Sequence, residues 1–171
     1  MTGAAPAFAT TEFTDAMGRF ATGVTVVTVA DGRDDIGSTV NAFASVSADP
    51  PMVLVSVSTD SYLTEVIDRQ GGFAVNVLGS AHRAIAGRFS AEGRPSARLL
   101  LAGEPHHRGT LTNALILDAA IAAVECSVHQ RVEAGDHIVY LARVRSLPEV
   151  GRTGSESKPL IRYKSRYHHL G

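Results

Sequence analysis

The chain has one cysteine, no tryptophan and almost no net charge, and each shortage removes a class of explanation. A single thiol, Cys126, cannot close an intrachain disulfide, which fits a reducing compartment. It lies in Val124-Glu-Cys-Ser-Val128, a strand-like run where a buried, inert thiol is expected. Sixteen Lys and Arg oppose seventeen Asp and Glu, a formal charge of −1 with seven neutral His. No global field therefore recruits nucleic acid or an anionic membrane surface. No run reaches the ~18 apolar residues of a membrane span. The opening Met1-Thr-Gly-Ala-Ala-Pro-Ala7 lacks a basic n-region and a long apolar h-region, so no secretory signal is read and a cytoplasmic location is expected.

Several catalytic signatures are missing too. No G-x-G-x-x-G follows a strand, so a Rossmann dinucleotide site is not expected. There is no P-loop and no G-x-S-x-G nucleophile elbow. His106-His107 and His168-His169 are adjacent pairs without the H-E-x-x-H or C-x-x-C spacing of a metal site. They read as surface residues, and no metal is expected.

What is present is an ordinary globular composition, 44% hydrophobic and 19% charged over 171 residues, enough for one domain with a core. The reading places a small, polar, flexible arm over residues 1–10 and a single domain over 11–171. A short helix is expected from Glu12 to Ala21, capped by Thr10 or Thr11, with Phe13, Met17 and Phe20 on one face and Gly23 as its stop. A β-branched strand runs from Val24 to Ala30 and ends at the turn dipeptide Asp31-Gly32. Further strands are expected over 36–43, 52–58, 73–78, 120–132 and 137–147. Val53, Val55 and Val57 share one face of the second, opposite Leu54, Ser56 and Ser58. Helices are expected over Ser61–Arg69, ended by Gly71-Gly72, and over Ser80–Phe89, with Ser80 as cap. Residues 90–113 carry no assignable pattern, and 151–158 form a polar loop. Many closely spaced strands with few helices argue for a mainly β, closed or nearly closed antiparallel barrel.

Three places carry chemistry. The first is Gly37-Ser-Thr-Val-Asn-Ala-Phe-Ala-Ser-Val-Ser47, small hydroxyl, amide and alanine residues followed by Pro50-Pro51. Such side chains let a flat ligand lie against backbone N–H and C=O groups, although an ordinary strand with a Ser-rich turn has the same composition. The second is Ser56, Ser58 and Ser61, hydroxyls leading into a helix N-terminus, where a phosphate finds donors and a favourable dipole. Arg88, beside Phe89, is a candidate countercharge, with a solvated surface arginine as the alternative. The third is Gly135-Asp136-His137, which equally makes a good hairpin turn.

Taken in order, Thr22-Gly-Val-Thr-Val-Val-Thr28, the Gly37 to Pro51 segment, Gly72-Phe-Ala-Val-Asn-Val-Leu78, Glu125-Cys126, Gly135-Asp-His137 and Pro159-Leu-Ile-Arg-Tyr163 resemble the short-chain flavin reductases. These are the reductase components of two-component flavin monooxygenases, and the resemblance covers about Phe13 to Leu170. It implies a split β-barrel, antiparallel and of Greek-key type, binding FMN or FAD, usually as a homodimer. It also implies NADH or NADPH as electron donor and an oxygenase component as recipient of reduced flavin.

On that resemblance, Ser38, Thr39, Val40, Asn41 and Ala42 would face the isoalloxazine, with Ser45 and Ser47 close by. Ser56, Ser58, Ser61, Arg88 and Phe89 would lie toward the phosphate. His137 would face the nicotinamide pocket, oriented by Asp136, with Thr22, Gly23 and Tyr163 as lesser contacts. Hydride transfer needs C4 of the nicotinamide held about 3–3.5 Å from flavin N5 and no acid or base, so His137 would position or stabilise charge. A flavin-binding carrier or sensor without turnover is the alternative reading. An oxidase of the pyridoxamine-phosphate type lacks its basic phosphate cluster.

Overall fold

The structure, a computed structural model, describes residues 7–32, 34–151 and 158–170. Its helices are α1 (Thr10–Gly18), α2 (Tyr62–Gln70), α3 (Arg83–Ser90) and α4 (Ala97–Leu100). The strands are β1 (Thr22–Gly23), β2 (Thr25–Val29), β3 (Ile36–Val40), β4 (Phe43–Ala48), β5 (Pro51–Ser58) and β6 (Gly72–Val77). They continue with β7 (His106–Arg108), β8 (Leu115–Leu117), β9 (Ala122–Ala134), β10 (His137–Ser146), β11 (Leu160–Tyr163) and β12 (Arg166–His169).

Seven strands form one antiparallel sheet in the order β3-β2-β6-β9-β10-β5-β4. Its two edges, β3 and β4, are separated in sequence only by Asn41 and Ala42. Each residue spans at most about 3.6 Å, so this link is possible only if the sheet curls until its edges nearly meet. The link is held in place there: the Ser56 N–H of β5 donates to the Ala42 carbonyl at 3.0 Å, and the Phe43 N–H closes a tight turn onto that of Asn41 at 2.9 Å. The result is a mainly β, curled antiparallel half-barrel with a seam at Asn41-Ala42.

Alternation along β5 buries Val53, Val55 and Val57 and leaves Leu54, Ser56 and Ser58 half-buried. The buried valines pack with Leu63, Val66 and Ile67 of α2 and with Phe73, Ile138 and Tyr140. Helix α2 starts where the Ser61 hydroxyl accepts the Leu63 N–H and ends at Gly71, whose φ of +69° a side chain rarely tolerates. The Tyr140 hydroxyl donates to Asp68 at 2.7 Å, pinning α2 to β10. Burial, then the Asp68 carboxylate, push that phenol above its ordinary value. A second core joins Val24, Val26, Leu78, Ile85, Phe89, Leu115 and Leu117.

Cys126 is fully buried, and burial pushes its thiol up to about 12, so it stays protonated and inert. Its neighbour Glu125 is also fully buried. One carboxylate oxygen accepts the Leu111 N–H at 3.1 Å, the Thr112 N–H at 2.8 Å and the Thr112 hydroxyl at 2.7 Å. Burial pushes this carboxyl up, but the Thr112, Leu111 and Ser146 hydrogen bonds together bring it below its ordinary value. A depressed folded pKa means stability that is present above the unfolded value and lost as pH falls through the folded one. Glu125→Gln should therefore lower stability at pH 7 by about 2 kcal/mol and shrink the gap between wild type and variant in acid. Denaturant titration at pH 7 and pH 4 checks this; an unchanged gap would contradict it.

The structure corrects several expectations. The strand expected over 36–43 breaks at Asn41-Ala42, because those residues cross from one sheet edge to the other. The first helix runs from Thr10 to Gly18, and neither Thr10 nor Thr11 caps it; the Glu12 carboxylate accepts the Ala9 N–H at 2.7 Å. It stops before Gly23, which lies in β1. Ser80 opens a 3-10 turn (Ser80–His82) whose cap is Gly79, and α3 begins only at Arg83. The stretch 90–113 contains α4 and β7, and β7 pairs with β8. The chain's basic end is a hairpin, β11–β12, that pairs β1. Residues 1–6 of the expected arm and 152–157 of the expected loop lie outside the described residues.

Candidate functional site

The seam creates the site. An edge strand presents unpaired N–H and C=O groups, and here the edge residues Ser38 to Ala42 face the half-buried side of β5 across a hollow of about 360 Å³. Ser56, Val57, Ser58, Ser61 and His137 complete its lining. The walls are small for separable reasons. The Thr39 hydroxyl donates to the Ala86 carbonyl at 2.7 Å and is thereby committed to α3. Val40 is buried in the core, and the Thr25 hydroxyl donates to its carbonyl at 2.6 Å. Asn41 is different: its Oδ1 is buried with no hydrogen-bond partner among the described residues. A buried amide oxygen without a donor costs about 1–3 kcal/mol, so this atom is suited to a ligand N–H. Small walls, an open strand edge and an orphan acceptor fit the edge of an isoalloxazine, whose N3–H is a donor.

His137 enters from the hairpin between β9 and β10. Register pairs His137 with Ala134, which leaves Gly135-Asp136 as a two-residue loop with Gly135 at φ +64°. On the other side His137 pairs with Ser58. Its Nδ1 lies 2.7 Å from the Asp136 carboxylate, leaving Nε2 as the uncommitted ring nitrogen. The hydrogen bond from His137, then its charge, hold the Asp136 carboxyl below the ordinary range. Asp136 is almost fully exposed and does not line the hollow itself.

Not every expected site residue gathers here. Ser45 and Ser47 lie on the outer edge strand β4, opposite Val53 and Met52, and do not line the hollow. Arg88 turns away, donating to the Leu100 carbonyl at 3.0 Å and to Glu104 at 2.6 Å. Phe89 is fully buried behind β3. Its ring is why position 37 is glycine: a Cβ there would approach it to 2.6 Å. Phe89 thus supports the hollow's wall from inside the core. Thr22 borders a separate hollow of about 530 Å³ on the other side of Asn41-Ala42, with Phe20, Arg162 and Lys164. Gly23 pairs with Ile161, and Tyr163 meets His168 edge-on at 6.0 Å; neither borders either hollow.

A third hollow, of about 510 Å³, continues past Ser61, which borders both it and the seam hollow. Arg94 and Tyr62 line it and were not anticipated. Arg94 falls in an aperiodic stretch, and only the Gly93-Arg94-Pro95 sequence marked a shaped loop there. Among the described residues no group of three or more His, Cys, Asp or Glu is placed to hold a metal ion.

Comparison with known proteins agrees with this geometry. Residues 17–171 match the family described as "Flavin reductase like domain". The NADH-dependent FMN reductase AsuE2 of Streptomyces nodosus subsp. asukaensis is 39% identical over 160 residues, covering 92% of this chain and 83% of that protein. The reductase component of 4-hydroxyphenylacetate 3-monooxygenase from Thermus thermophilus is 32% identical over 158 residues, covering 92% of this chain and 95% of that protein. BorF, the flavin reductase component of a bacterial two-component tryptophan halogenase, superposes with a TM-score of 0.85 at 29% identity, over 95% of this chain and 98% of that one. The chain belongs to the flavin reductase-like domain family. Its activity is that of an NAD(P)H-dependent flavin reductase.

Proposed function

We propose that the seam hollow is where this chain holds the isoalloxazine of FMN or FAD while NADH or NADPH reduces it. The observation that carries the reading is the unpartnered Asn41 Oδ1, buried beside the open edge of β3 and close to His137 in one small-walled hollow. When bound, a flavin accepts hydride at N5 from C4 of the nicotinamide. The chain's residues supply position and charge. Those backbone amides of the Thr39 to Ala42 stretch that the β2 ladder leaves free would act as fixed donors where negative charge gathers on reduction, a preorganised arrangement that does not have to reorganise during transfer. Asn41 fixes the ring's orientation through its acceptor. His137, held by Asp136, would present Nε2 to a nicotinamide carboxamide and so position that nucleotide. The carrier or sensor alternative leaves the His137–Asp136 arrangement at the mouth of the hollow without a role.

Relatives that are reductase components of two-component monooxygenases imply an oxygenase partner here as well. Reduced flavin leaves for that partner. The chain works as a homodimer: α1 buries none of its residues in the single chain and exposes Phe13 at 50% and Met17 at 53%, and Phe20 just beyond the helix is exposed at 71%, an apolar surface that a second copy would cover. No described helix is long and apolar enough to cross a membrane, and the cytoplasm is the proposed location.

Oxidation of NADH and of NADPH, followed with and without added FMN or FAD, tests the reading. Oxidation that depends on flavin supports it. Tight flavin binding without any turnover with either nucleotide would favour the carrier.

A further inference from the structure

The short 3-10 turn that leads into α3 is fastened by a titratable group. Its cap, Gly79, is buried, and the Gly79 N–H donates to His82 Nδ1 at 3.0 Å. That is the return half of a capping box, in which the third residue of a helix accepts the N–H of its cap. Glu or Gln usually fills the third position. Here it is histidine. Gly79 has no side chain to supply the other half, and a Cβ at position 79 would come within 2.9 Å of Ile121 Cγ2. The imidazole is therefore the side chain that closes the turn.

Accepting an N–H at Nδ1 requires the neutral ring with its proton on Nε2. A protonated ring carries a hydrogen on both nitrogens and meets the Gly79 N–H as a second donor. A buried N–H is then left without its acceptor, which is costly. Half-burial already favours the neutral ring: it lowers the His82 pKa from its ordinary value, and the Glu104 charge opposes this. Glu104 is itself held by Arg88 of α3 at 2.6 Å. Arg83, next in the chain, is exposed, and Lys158 of the facing segment meets the turn through its carbonyl.

Two parts of the fold depend on this turn. The Ser80 N–H donates to the Lys158 carbonyl at 2.8 Å, and the Leu160 N–H donates to the Leu78 carbonyl at 3.0 Å. Gly79 bridges Pro159 between them, so the turn holds the start of β11. It also sets the start of α3, whose Ala86 carbonyl accepts the Thr39 hydroxyl and whose Phe89 ring packs behind Gly37. Thr39 lines the seam hollow.

We propose that His82 is a pH-operated latch. As the neutral ring it fastens the turn to the start of β11 and holds α3 behind the wall of the seam hollow. Protonation loosens both, so the chain holds flavin less tightly in acid. The effect on flavin rests on the ring lying in the seam hollow; the latch does not. With the folded pKa below the unfolded one, the latch's contribution to stability is complete above the ordinary imidazole value of ~6.5. It is lost as pH falls through that value toward the folded one.

Amide hydrogen exchange of the flavin-free protein from pH 7.5 to pH 4.5, read by NMR and corrected for intrinsic rates, tests the latch. His82→Gln is the reference, because it keeps an acceptor and does not titrate in that range. At pH 7.5 both proteins should protect the Gly79, Ser80 and Leu160 amides alike. At pH 4.5 wild type should exchange there about tenfold faster than His82→Gln, with the β9–β10 ladder equal in the two. Equal protection at pH 4.5 would overturn the proposal. So would wild-type protection of these amides that stays constant from pH 7.5 to pH 4.5, a result that needs no variant. Titration with FMN gives the second readout. The ratio of affinities, His82→Gln over wild type, should be near one at pH 7.5 and rise to about five at pH 4.5. Taking the ratio cancels the titration of His137 and of the FMN phosphate. A latch that opens while that ratio stays fixed would overturn its effect on the hollow. FMN that fails to bind wild type even at pH 7.5 would remove the ring site, and the exchange result would then decide the latch by itself.

Discussion

Ser56→Trp should abolish flavin binding while leaving the protein folded. Ser56 is half-buried on the face of β5 opposite Val55 and Val57, and it lines the seam hollow. An indole there occupies a large part of a space of about 360 Å³. Strands favour aromatic side chains, and among the described residues the Ser56 hydroxyl has no hydrogen-bond partner to lose. The expected result is a loss of flavin affinity of at least about 100-fold, or ~2.7 kcal/mol, with the thermal midpoint within a few degrees of wild type. Ser56→Ala should bind flavin much as wild type does. Equilibrium titration with FMN and FAD beside a thermal melt checks both. Retained flavin affinity in a folded Ser56→Trp protein would place the ring elsewhere.

The second large effect belongs to His137. His137→Ala should raise the KM for the nicotinamide nucleotide about tenfold, ~1.4 kcal/mol, and change the flavin dissociation constant less than about twofold. The separation follows from geometry. His137 borders the hollow with Nδ1 fixed by Asp136, whereas the contacts proposed for the ring come from the β3 edge. Asp136→Asn should give a smaller effect in the same direction, since the imidazole stays but loses its charged partner. Because His137 holds the Asp136 carboxyl below its ordinary value, the pair is intact above that lowered value and is lost as pH falls through it. Unchanged nucleotide kinetics in His137→Ala would remove the residue from the assigned role.

Much of this was legible in the residues and some was not, for identifiable reasons. Strand alternation is local, so Val53, Val55 and Val57 announced the buried face of β5, and Ser61 announced the start of α2. The break at Asn41-Ala42 was invisible, because both flanking stretches read as strand and only long-range curling makes two residues bridge opposite sheet edges. Side-chain direction was also hidden. Arg88 and Phe89 sit on one helix beside β3, but a 3.6-residue period sends Phe89 into the core and Arg88 toward Glu104. Arg94 lies in a loop with no periodicity to interpret, and its hydrogen bond to the Gly37 carbonyl of β3 appears only when its neighbours are placed in space. The hairpin of β11 and β12 was obscured by its charge: Arg162, Lys164, Arg166 and two histidines look solvated, yet the backbone pairs regardless.

The central claim is that the seam between β3 and β4 cradles the ring. A crystal structure of the protein with bound flavin tests it most directly. The isoalloxazine should lie along Ser38 to Ala42, with an N–H of the ring within hydrogen-bond distance of Asn41 Oδ1 and one face open toward His137. A flavin ordered anywhere else on the chain, with Asn41 Oδ1 still unpartnered, would contradict it.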